Sequence, residues 1–202
     1  MPAGCEHLVQ EMRYAYHTDY FVPLQPQQPF PMAKYPLVHE RLLGEGVLEA
    51  RNLMVPDEAP TGDLVLAHAP GYLQRLASGS LDAAEIRRIG VPWSAALWRR
   101  SKLAVQGTVE AARAALEDGL AGNLAGGTHH AFADHGEGFC VLNDVAVAIR
   151  VLRREGRAAR ALVVDLDVHQ GNGTAAIFAG DASVFTFSMH GERNYPTRKM
   201  RS

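Results

Sequence analysis

The sequence predicts an α/β domain with a parallel sheet, and three observations support this fold class. Short apolar runs alternate along the chain with segments that have helical spacing. The run Leu162-Val163-Val164 lacks polar alternation, as expected for a strand that a parallel sheet buries on both faces. This run then gives way to acids, an imidazole and glycines. In open α/β sheets, ligands bind beyond the carboxyl ends of such strands.

Composition fits one domain over residues 1–202, because 47% of the residues are hydrophobic and can form a core. The net charge of −2 gives no reason to expect nucleic acid or an anionic membrane as a partner. The two cysteines, Cys5 and Cys140, do not make a disulfide framework, which favours a reducing, cytoplasmic setting. We expect neither a signal peptide nor a membrane-spanning segment.

The order of strands and helices is predicted from apolar patterns and from the glycines and prolines that interrupt them. We expect strands at 12–16, 48–55, 123–125, 161–165 and 183–188. We expect helices at 37–43, 63–68, 72–77, 93–118 and 145–155. The proline-rich segment 21–36 is predicted to be an ordered surface loop. His68 is interpreted as a structural histidine.

Asp165, Asp167 and His169 occupy alternate positions at the end of the central strand. Alternate side chains of an extended strand point to the same face, so these three are expected to share one. Crowding two carboxylates and an imidazole together costs free energy unless a positive charge compensates them. A divalent metal ion is the simplest such partner. The alternative is a polar strand end that water solvates. Glycines then permit a tight exit, and Thr174 is predicted to cap a helix that begins at Ala175.

A pair of histidines, His129 and His130, follows the double glycine Gly126-Gly127. The glycines let the backbone approach another group closely. We interpret the histidines as a general base and its partner, because the unperturbed imidazole pKa suits proton transfer near neutral pH. The alternative is a polar loop without a catalytic role.

The segment 136–144 contains glycines but is not a dinucleotide fingerprint, because no strand leads into it and its third glycine is missing. Phe139 is expected to line a pocket or to belong to the core, and Cys140 is interpreted as a packed thiol. Asn143 or Asp144 is predicted to cap the helix that follows.

Three blocks together closely resemble the metal-dependent histone deacetylases. They are Gly126-Gly127-Thr128-His129-His130-Ala131, Gly138-Phe139-Cys140-Val141-Leu142-Asn143-Asp144 and Asp165-Leu166-Asp167-Val168-His169-Gln170-Gly171-Asn172-Gly173-Thr174. The opening Tyr14-Ala15-Tyr16-His17 and the strand Phe185-Thr186-Phe187-Ser188-Met189-His190 fit as well. The similarity runs from about residue 14 to residue 202 and is of a bacterial type, in a superfamily that includes acetylpolyamine deacetylases. It implies a three-layer α/β sandwich with a mainly parallel central sheet, a fold shared with arginases.

The resemblance implies zinc-dependent hydrolysis of acetyl or other acyl amides, with acetylated lysine or an acetylated polyamine as the substrate. Asp167 and His169 would be ligands of Zn²⁺, with Fe²⁺ and Mn²⁺ as alternatives. Arginases need a further carboxylate two residues after the histidine, and here that place is Gly171. This difference favours one catalytic metal over two.

The same resemblance assigns roles to the polar residues around the metal. His130 would be the general base and acid, and His129 would assist electrostatically. Asp165 would hold His129, and Asn172 would hold His130. Because Asn172 is neutral, it should raise the pKa of its histidine less than a carboxylate would.

The resemblance also implies a narrow substrate tunnel and a second cation site. Gly138 and Phe139 would form one wall of the tunnel, and Tyr195 the facing wall. A structural monovalent cation, K⁺, would bind backbone groups around Asp165, Asp167, His169, Ser188 and Met189.

The chain departs from the family pattern in one respect. Family members have a third metal-binding aspartate and a tyrosine that stabilises the transition state, both farther along the chain, and neither block is found in residues 1–202. We therefore expect a domain that is incomplete at its C-terminal end and inactive by itself. The alternative function is a non-catalytic remnant that binds metal weakly or serves as an interaction module.

Overall fold

Parallel strand pairing organises the computed structural model, which describes residues 12–201. One sheet has the strand order β2-β1-β3, formed by Leu53–Met54, Arg13–Ala15 and Ala121–Asn123. The second sheet pairs β4, Ala161–Asp165, with β5, Val184–Ser188. Every one of these strand pairs is parallel. The predicted parallel α/β architecture is confirmed, although β3 and β4 do not pair with each other.

Helices connect the strands in βαβ fashion. In chain order they are α1 Lys34–Gly44, α2 Thr61–Leu64, α3 Pro70–Ser78, α4 Ala83–Ile89, α5 Ala95–Asp118, α6 Asp144–Arg154 and α7 Asn172–Ile177. Short 3₁₀ turns lie at Thr18–Tyr20 and Ala50–Asn52. Within the described residues, no helix combines the length and apolar character needed to cross a membrane.

The longest helix, α5, packs against α6 and against the first sheet. The Ser94 side chain accepts a hydrogen bond from the amide of Leu97 at its start, and Gly119 ends it in a left-handed conformation. Together these elements enclose a core of fully buried side chains that includes Tyr14, Tyr20, Tyr72, Leu103, Val105, Val109 and Leu142.

The structure departs from the predictions most clearly in three places, and the strand expected at 123–125 and the helix expected at 63–68 are also shifted, to Ala121–Asn123 and Thr61–Leu64. The strand expected at 48–55 is reduced to Leu53–Met54. Helix α4 was not predicted, although its Asp82 and Glu85 form a capping box that the sequence spells out. Thr174 lies inside α7 and does not cap it, because the helix already begins at Asn172 and the Thr174 hydroxyl accepts a hydrogen bond from Asn143.

The expectation that β4 is buried on both faces is wrong for the described chain. Leu162 and Val164 are 65% and 55% exposed, and Phe185 and Phe187 of β5 lie exposed beside them. Only the alternate residues, such as Val163 and Thr186, are covered. The reason is that no helix within residues 12–201 covers the outer face of this two-stranded sheet.

Of the two cysteines, Cys140 lies within the described part of the chain. Cys140 is a buried free thiol, and burial raises its pKa to about 12, which fits the expected packing role. Cys5 lies in residues 1–11, outside the described part of the chain.

The junction before α6 joins several distant segments through Asn143. Its side-chain oxygen accepts from the amide of Ala146 and so caps the helix, as predicted. Its side-chain amide donates to the Ala131 carbonyl and to the Thr174 hydroxyl, both at 3.0 Å. Its backbone amide donates to Nε2 of His68 at 2.9 Å. One buried residue therefore links α6 to the histidine loop, to α7 and to the segment before α3.

Asp144, the first residue of α6, is completely buried. Its carboxylate accepts hydrogen bonds from the amides of Gly127 and Thr128 at 3.0 and 2.7 Å. It also accepts from the hydroxyls of Thr128 and Thr108, both at 2.5 Å. Four donors compensate the cost of burying this charge, and the N-terminal position in the helix stabilises it further. The loop that leads to His129 is thus tied to α6.

His68 is 2% exposed and serves as a hydrogen-bond acceptor inside the fold, as expected for a structural histidine. Burial lowers its pKa to about 4, so the folded protein holds it neutral over most of the physiological range.

We expect His68 to make stability depend on pH. The unfolded chain takes up a proton on His68 near pH ~6.5, whereas the folded chain does so only near pH 4. Stability is therefore fully present above pH ~6.5 and falls as the pH drops towards 4, by up to about 3 kcal/mol. Urea unfolding at several pH values measures this. His68→Gln should flatten the profile in that window, whereas His135→Gln in a partly exposed loop should not. Equal profiles for all three proteins would contradict the assignment.

We expect Asp144→Asn to lower the free energy of unfolding by roughly 1–3 kcal/mol, because the new amide nitrogen cannot accept from donors that stay buried. Urea denaturation measures the change. Asp57→Asn, at an exposed position, is the matched control. If both variants were equally stable, the four hydrogen bonds to Asp144 would not constrain the loop as described.

Candidate active site

Three loops and one tyrosine bring the predicted polar residues together. The loop 126–130 follows β3, the segment 165–173 follows β4, and the block 136–140 lies between them in sequence. Tyr195 approaches from the segment after β5. The loops after β3 and β4 leave the carboxyl ends of their parallel strands, the edge at which ligands bind in this class of fold.

His129 is paired with Asp165, as the sequence predicts. Its Nδ1 lies 2.6 Å from Oδ2 of Asp165, the last residue of β4. Burial alone would raise the pKa of Asp165, but the hydrogen bond and charge of His129 outweigh it and lower that pKa. The carboxylate is therefore ionised and fixes the orientation of the His129 ring.

His130 is buried and paired with Asn172. Its Nδ1 lies 2.7 Å from Oδ1 of the Asn172 side chain, and its ring centre is 4.1 Å from that of His129. Burial lowers the pKa of His130, as does the neighbouring His129, while the bond to Asn172 raises it in part. Since Oδ1 can only accept, Nδ1 carries the proton and Nε2 keeps its lone pair. The ring is thus a neutral base at neutral pH.

Asp167 and His169 lie close together, but not on one strand face as expected. The strand ends at Asp165, and the following residues bend. Carboxylates accept hydrogen bonds from backbone amides along this bend. The Asp167 amide donates to Oδ1 of Asp165 at 3.0 Å, and the His169 amide donates to Oδ1 of Asp167 at 2.8 Å. Nδ1 of His169 is 3.2 Å from the Asp167 carboxylate. The His169 ring lies 5.9 Å from that of His130.

The chemistry of Asp167 and His169 suits zinc, since a carboxylate and an imidazole are both zinc ligands. However, residues 12–201 contain no group of three or more His, Cys, Asp or Glu that could share one ion. A catalytic zinc site uses three protein ligands. Asp167 and His169 are donors of the types that zinc prefers. A complete catalytic site needs one further protein ligand, which the described residues do not place beside them.

A cavity of about 340 Å³ lies beside His130. Its lining contains the three predicted tunnel residues Gly138, Phe139 and Tyr195, together with His169 and the end of α4. A Cβ atom added at Gly138 would lie 2.6 Å from Cδ2 of His130, so only glycine permits this approach. The Tyr195 ring stands edge-on to His130, with centroids 5.0 Å apart.

Phe139 adopts a left-handed backbone conformation with φ of 66°, which is unfavourable for a side chain of this size. Two backbone hydrogen bonds to the end of α4 hold Gly138 and Phe139 in this conformation. The Phe139 amide donates to the Ile89 carbonyl at 2.7 Å, and the Gly138 amide donates to the Arg88 carbonyl at 3.2 Å. The C-terminal turn of α4 thereby becomes part of the cavity.

The predicted cation segment is also brought together. Ser188 pairs with Asp165 across the β4–β5 ladder, and the Met189 amide donates to the Asp165 carbonyl at 3.0 Å. The binding of K⁺ there stays a prediction, as do the chemical roles of the other site residues.

Two features of the site were not predicted. Glu137 accepts from Nδ2 of Asn172 at 2.9 Å and from the Tyr195 hydroxyl at 2.5 Å. Arg87 and Arg88, at the end of α4, line the cavity mouth. The capping box could have revealed α4, but no spacing in the sequence indicates that Glu137 meets Asn172.

Comparison with known proteins agrees with this geometry. Residues 28–202 match the family model described as histone deacetylase domain. An uncharacterised protein of Picosynechococcus is 50% identical over 187 residues, which cover 93% of this chain and 62% of that protein. Histone deacetylase 2 of Arabidopsis thaliana is 32% identical, covering 87% of this chain and 47% of its own length. The crystal structure of an HDAC homolog from Aquifex aeolicus gives a TM-score of 0.80 at 28% identity, over 92% of this chain and 53% of that one.

The chain thus spans about half to three fifths of the length of these relatives. Both the family and the fold class expected from the motifs are confirmed. The chain belongs to the histone deacetylase domain family.

Proposed function

We propose that this chain forms part of a metal-dependent deacylase that hydrolyses acylated amines, with acetylated lysine as the substrate and Zn²⁺, Fe²⁺ or Mn²⁺ as the metal. One observation carries the proposal. A buried, neutral His130 with its Nδ1 proton held by Asn172 lines a cavity whose walls are Phe139 and Tyr195. Such a site places a proton acceptor in a cavity with aromatic walls, which suits the hydrolysis of an acylated amine.

His130 acts as the proton-transfer residue. Its pKa is lowered mainly by burial, so at neutral pH the ring accepts a proton from the attacking water. The protonated ring then donates that proton to the leaving amine. Asn172 keeps Nδ1 protonated throughout, so Nε2 is the nitrogen that exchanges the proton.

His129 supports this step through charge. Its hydrogen bond to the ionised Asp165 holds the ring beside His130. His129 itself lowers the pKa of His130, but the negative charge of Asp165 behind it favours the positive charge that develops on the histidine pair during proton transfer.

Asp167 and His169 are the residues that would hold the metal, with a third ligand from outside the described residues. When bound, a divalent metal supplies Lewis-acid polarisation of the amide carbonyl and acidification of water. With two protein donors, residues 1–202 by themselves are expected to hold zinc loosely. A structural monovalent cation such as K⁺, bound by backbone groups around Asp165, Asp167, His169, Ser188 and Met189, would stiffen the loop that carries these donors.

The charge at the cavity mouth favours acetylated lysine over an acetylated polyamine. Arg87 and Arg88 are exposed there, and within residues 12–201 neither of them forms a salt bridge. Among residues 12–201 no carboxylate lines this cavity, and the two carboxylates that contact its lining, Glu137 and Asp167, are engaged by Tyr195 and His169. A polyamine would place its own positive charges against the arginines, whereas a peptide with acidic neighbours would be attracted.

We expect His130→Ala to lower turnover by at least ~10²–10⁴-fold, the usual contribution of general acid–base catalysis. The assay uses an acetyl-lysine peptide and zinc. The polypeptide carries residues 1–202 joined to the part of the Picosynechococcus relative that this chain does not match. His17→Ala, whose ring caps the 3₁₀ turn Thr18–Tyr20, is the control and should retain turnover. Turnover near the parent value in His130→Ala, with zinc still bound, would disprove the assignment. No turnover in the parent protein would favour the non-catalytic alternative.

We expect Arg88→Glu to change substrate preference in the same polypeptide. The ratio of kcat/KM for an acidic acetyl-lysine peptide over N-acetylputrescine should fall about tenfold, equivalent to about 1.4 kcal/mol. Arg160→Glu is the matched charge reversal, because it lies before β4 at the opposite edge of the sheet. A ratio unchanged by Arg88→Glu, or changed equally by Arg160→Glu, would show that the mouth charge does not select the substrate.

A further inference from the structure

We propose that Glu137 is a positioning residue that sets the orientation of the Asn172 amide and, through it, the tautomer of His130. The hydrogen bonds in this argument do not depend on the proposed function. Only the consequence for proton transfer rests on it.

Glu137 holds two donors on one carboxylate oxygen. Nδ2 of Asn172 donates to Oε1 at 2.9 Å, and the Tyr195 hydroxyl donates to the same oxygen at 2.5 Å. Asn172 is buried, and the Glu137 side chain is 21% exposed. A hydrogen bond to a charged acceptor in such a place is stronger than one between neutral groups.

The charge of Glu137 decides which way the Asn172 amide faces. An asparagine side chain has one accepting end and one donating end of nearly equal size. With the donating end on Glu137, the accepting end faces Nδ1 of His130 at 2.7 Å. The reversed amide would place its oxygen against the carboxylate, and two acceptors in contact repel each other. The neutral amide therefore has one favoured orientation because of Glu137.

This orientation determines the protonated nitrogen of His130. When Oδ1 of Asn172 accepts, Nδ1 must carry the proton and Nε2 is free to act as a base. A reversed amide would donate to Nδ1 and drive the proton to Nε2. His130 would then be a neutral ring with no accepting nitrogen on the cavity side.

The second donor on Glu137 links the same oxygen to the cavity wall. Tyr195 stands edge-on to both His130 and His169, with centroid distances of 5.0 and 6.1 Å. Its pKa is raised, first by burial and then by the bond to Glu137, so the hydroxyl stays protonated and remains a donor. The wall and the base are thus positioned by one carboxylate.

The tautomer is measured directly by long-range ¹⁵N–¹H spectra of the 202-residue chain, without metal, substrate or turnover. At neutral pH we expect the Nδ1–H form of His130 in the parent chain. Glu137→Met removes the acceptor and should convert at least half of His130 to the Nε2–H form. Glu137→Gln keeps an accepting oxygen but adds a donating nitrogen, so the fraction of Nδ1–H should lie between those of the parent and of Glu137→Met. Glu192→Met, at an exposed position, is the control and should leave the spectrum unchanged.

A double variant separates positioning from a general structural effect. Asn172→Asp has two accepting oxygens and needs no orientation, so it should restore Nδ1–H when combined with Glu137→Met. Circular dichroism checks the folding of every variant, and the double variant decides if Glu137→Met alone does not fold. Parent-like Nδ1–H in Glu137→Met, or a folded double variant in which Nδ1 of His130 carries no proton, would overturn the proposal. Failure of the proposed deacylase activity would appear only in the turnover assay and would leave these spectra unaffected.

Discussion

The buried carboxylate of Asp144 is the constraint on which the candidate site depends. It binds the backbone and the hydroxyl of Thr128, so the loop that carries His129 and His130 cannot move independently of α6. Asn143, directly before it, holds the carbonyl of Ala131 on the other side of the histidines. Both anchors come from the first turn of a helix that packs against α5, so the core of the domain sets the position of the two imidazoles.

The two imidazoles have different acceptors, and this difference separates their chemistry. His129 faces the ionised Asp165, whereas His130 faces the neutral amide of Asn172. A neutral acceptor opposes the effect of burial only in part, so the pKa of His130 stays below its ordinary value. A carboxylate at that place would favour the protonated ring more strongly. The nearest negative charge on this side of His130 is that of Glu137, which accepts a hydrogen bond from the Asn172 amide and does not contact His130 through a hydrogen bond of its own.

Local patterns in the sequence carry the parts of the site that were predicted. An apolar run followed by alternating acids locates β4 and Asp165, and the adjacent histidines are visible without any tertiary information. The contacts of Glu137 could not be predicted from the sequence, because its partners Asn172 and Tyr195 are 35 and 58 residues away. No sequence periodicity encodes such contacts. The burial of β4 was misjudged for a related reason. An apolar run indicates that both faces of a strand are suited to burial. Whether they are buried depends on other segments, which must supply the helices that cover them.

Hydrogen bonds between loops, and not strand pairing, join the two halves of the site. The sheet with β3 supplies the histidines and the sheet with β4 supplies the acids, yet β3 and β4 share no ladder. A cavity of about 300 Å³ separates them, lined by Gly126, His129, Val163, Asp165 and Asp167. Across it, His129 bonds Asp165 through its side chain and accepts the Thr174 amide through its carbonyl. His129 is therefore both a neighbour of His130 and, together with the His130–Asn172 hydrogen bond, a connection that holds the acid loop against the histidine loop.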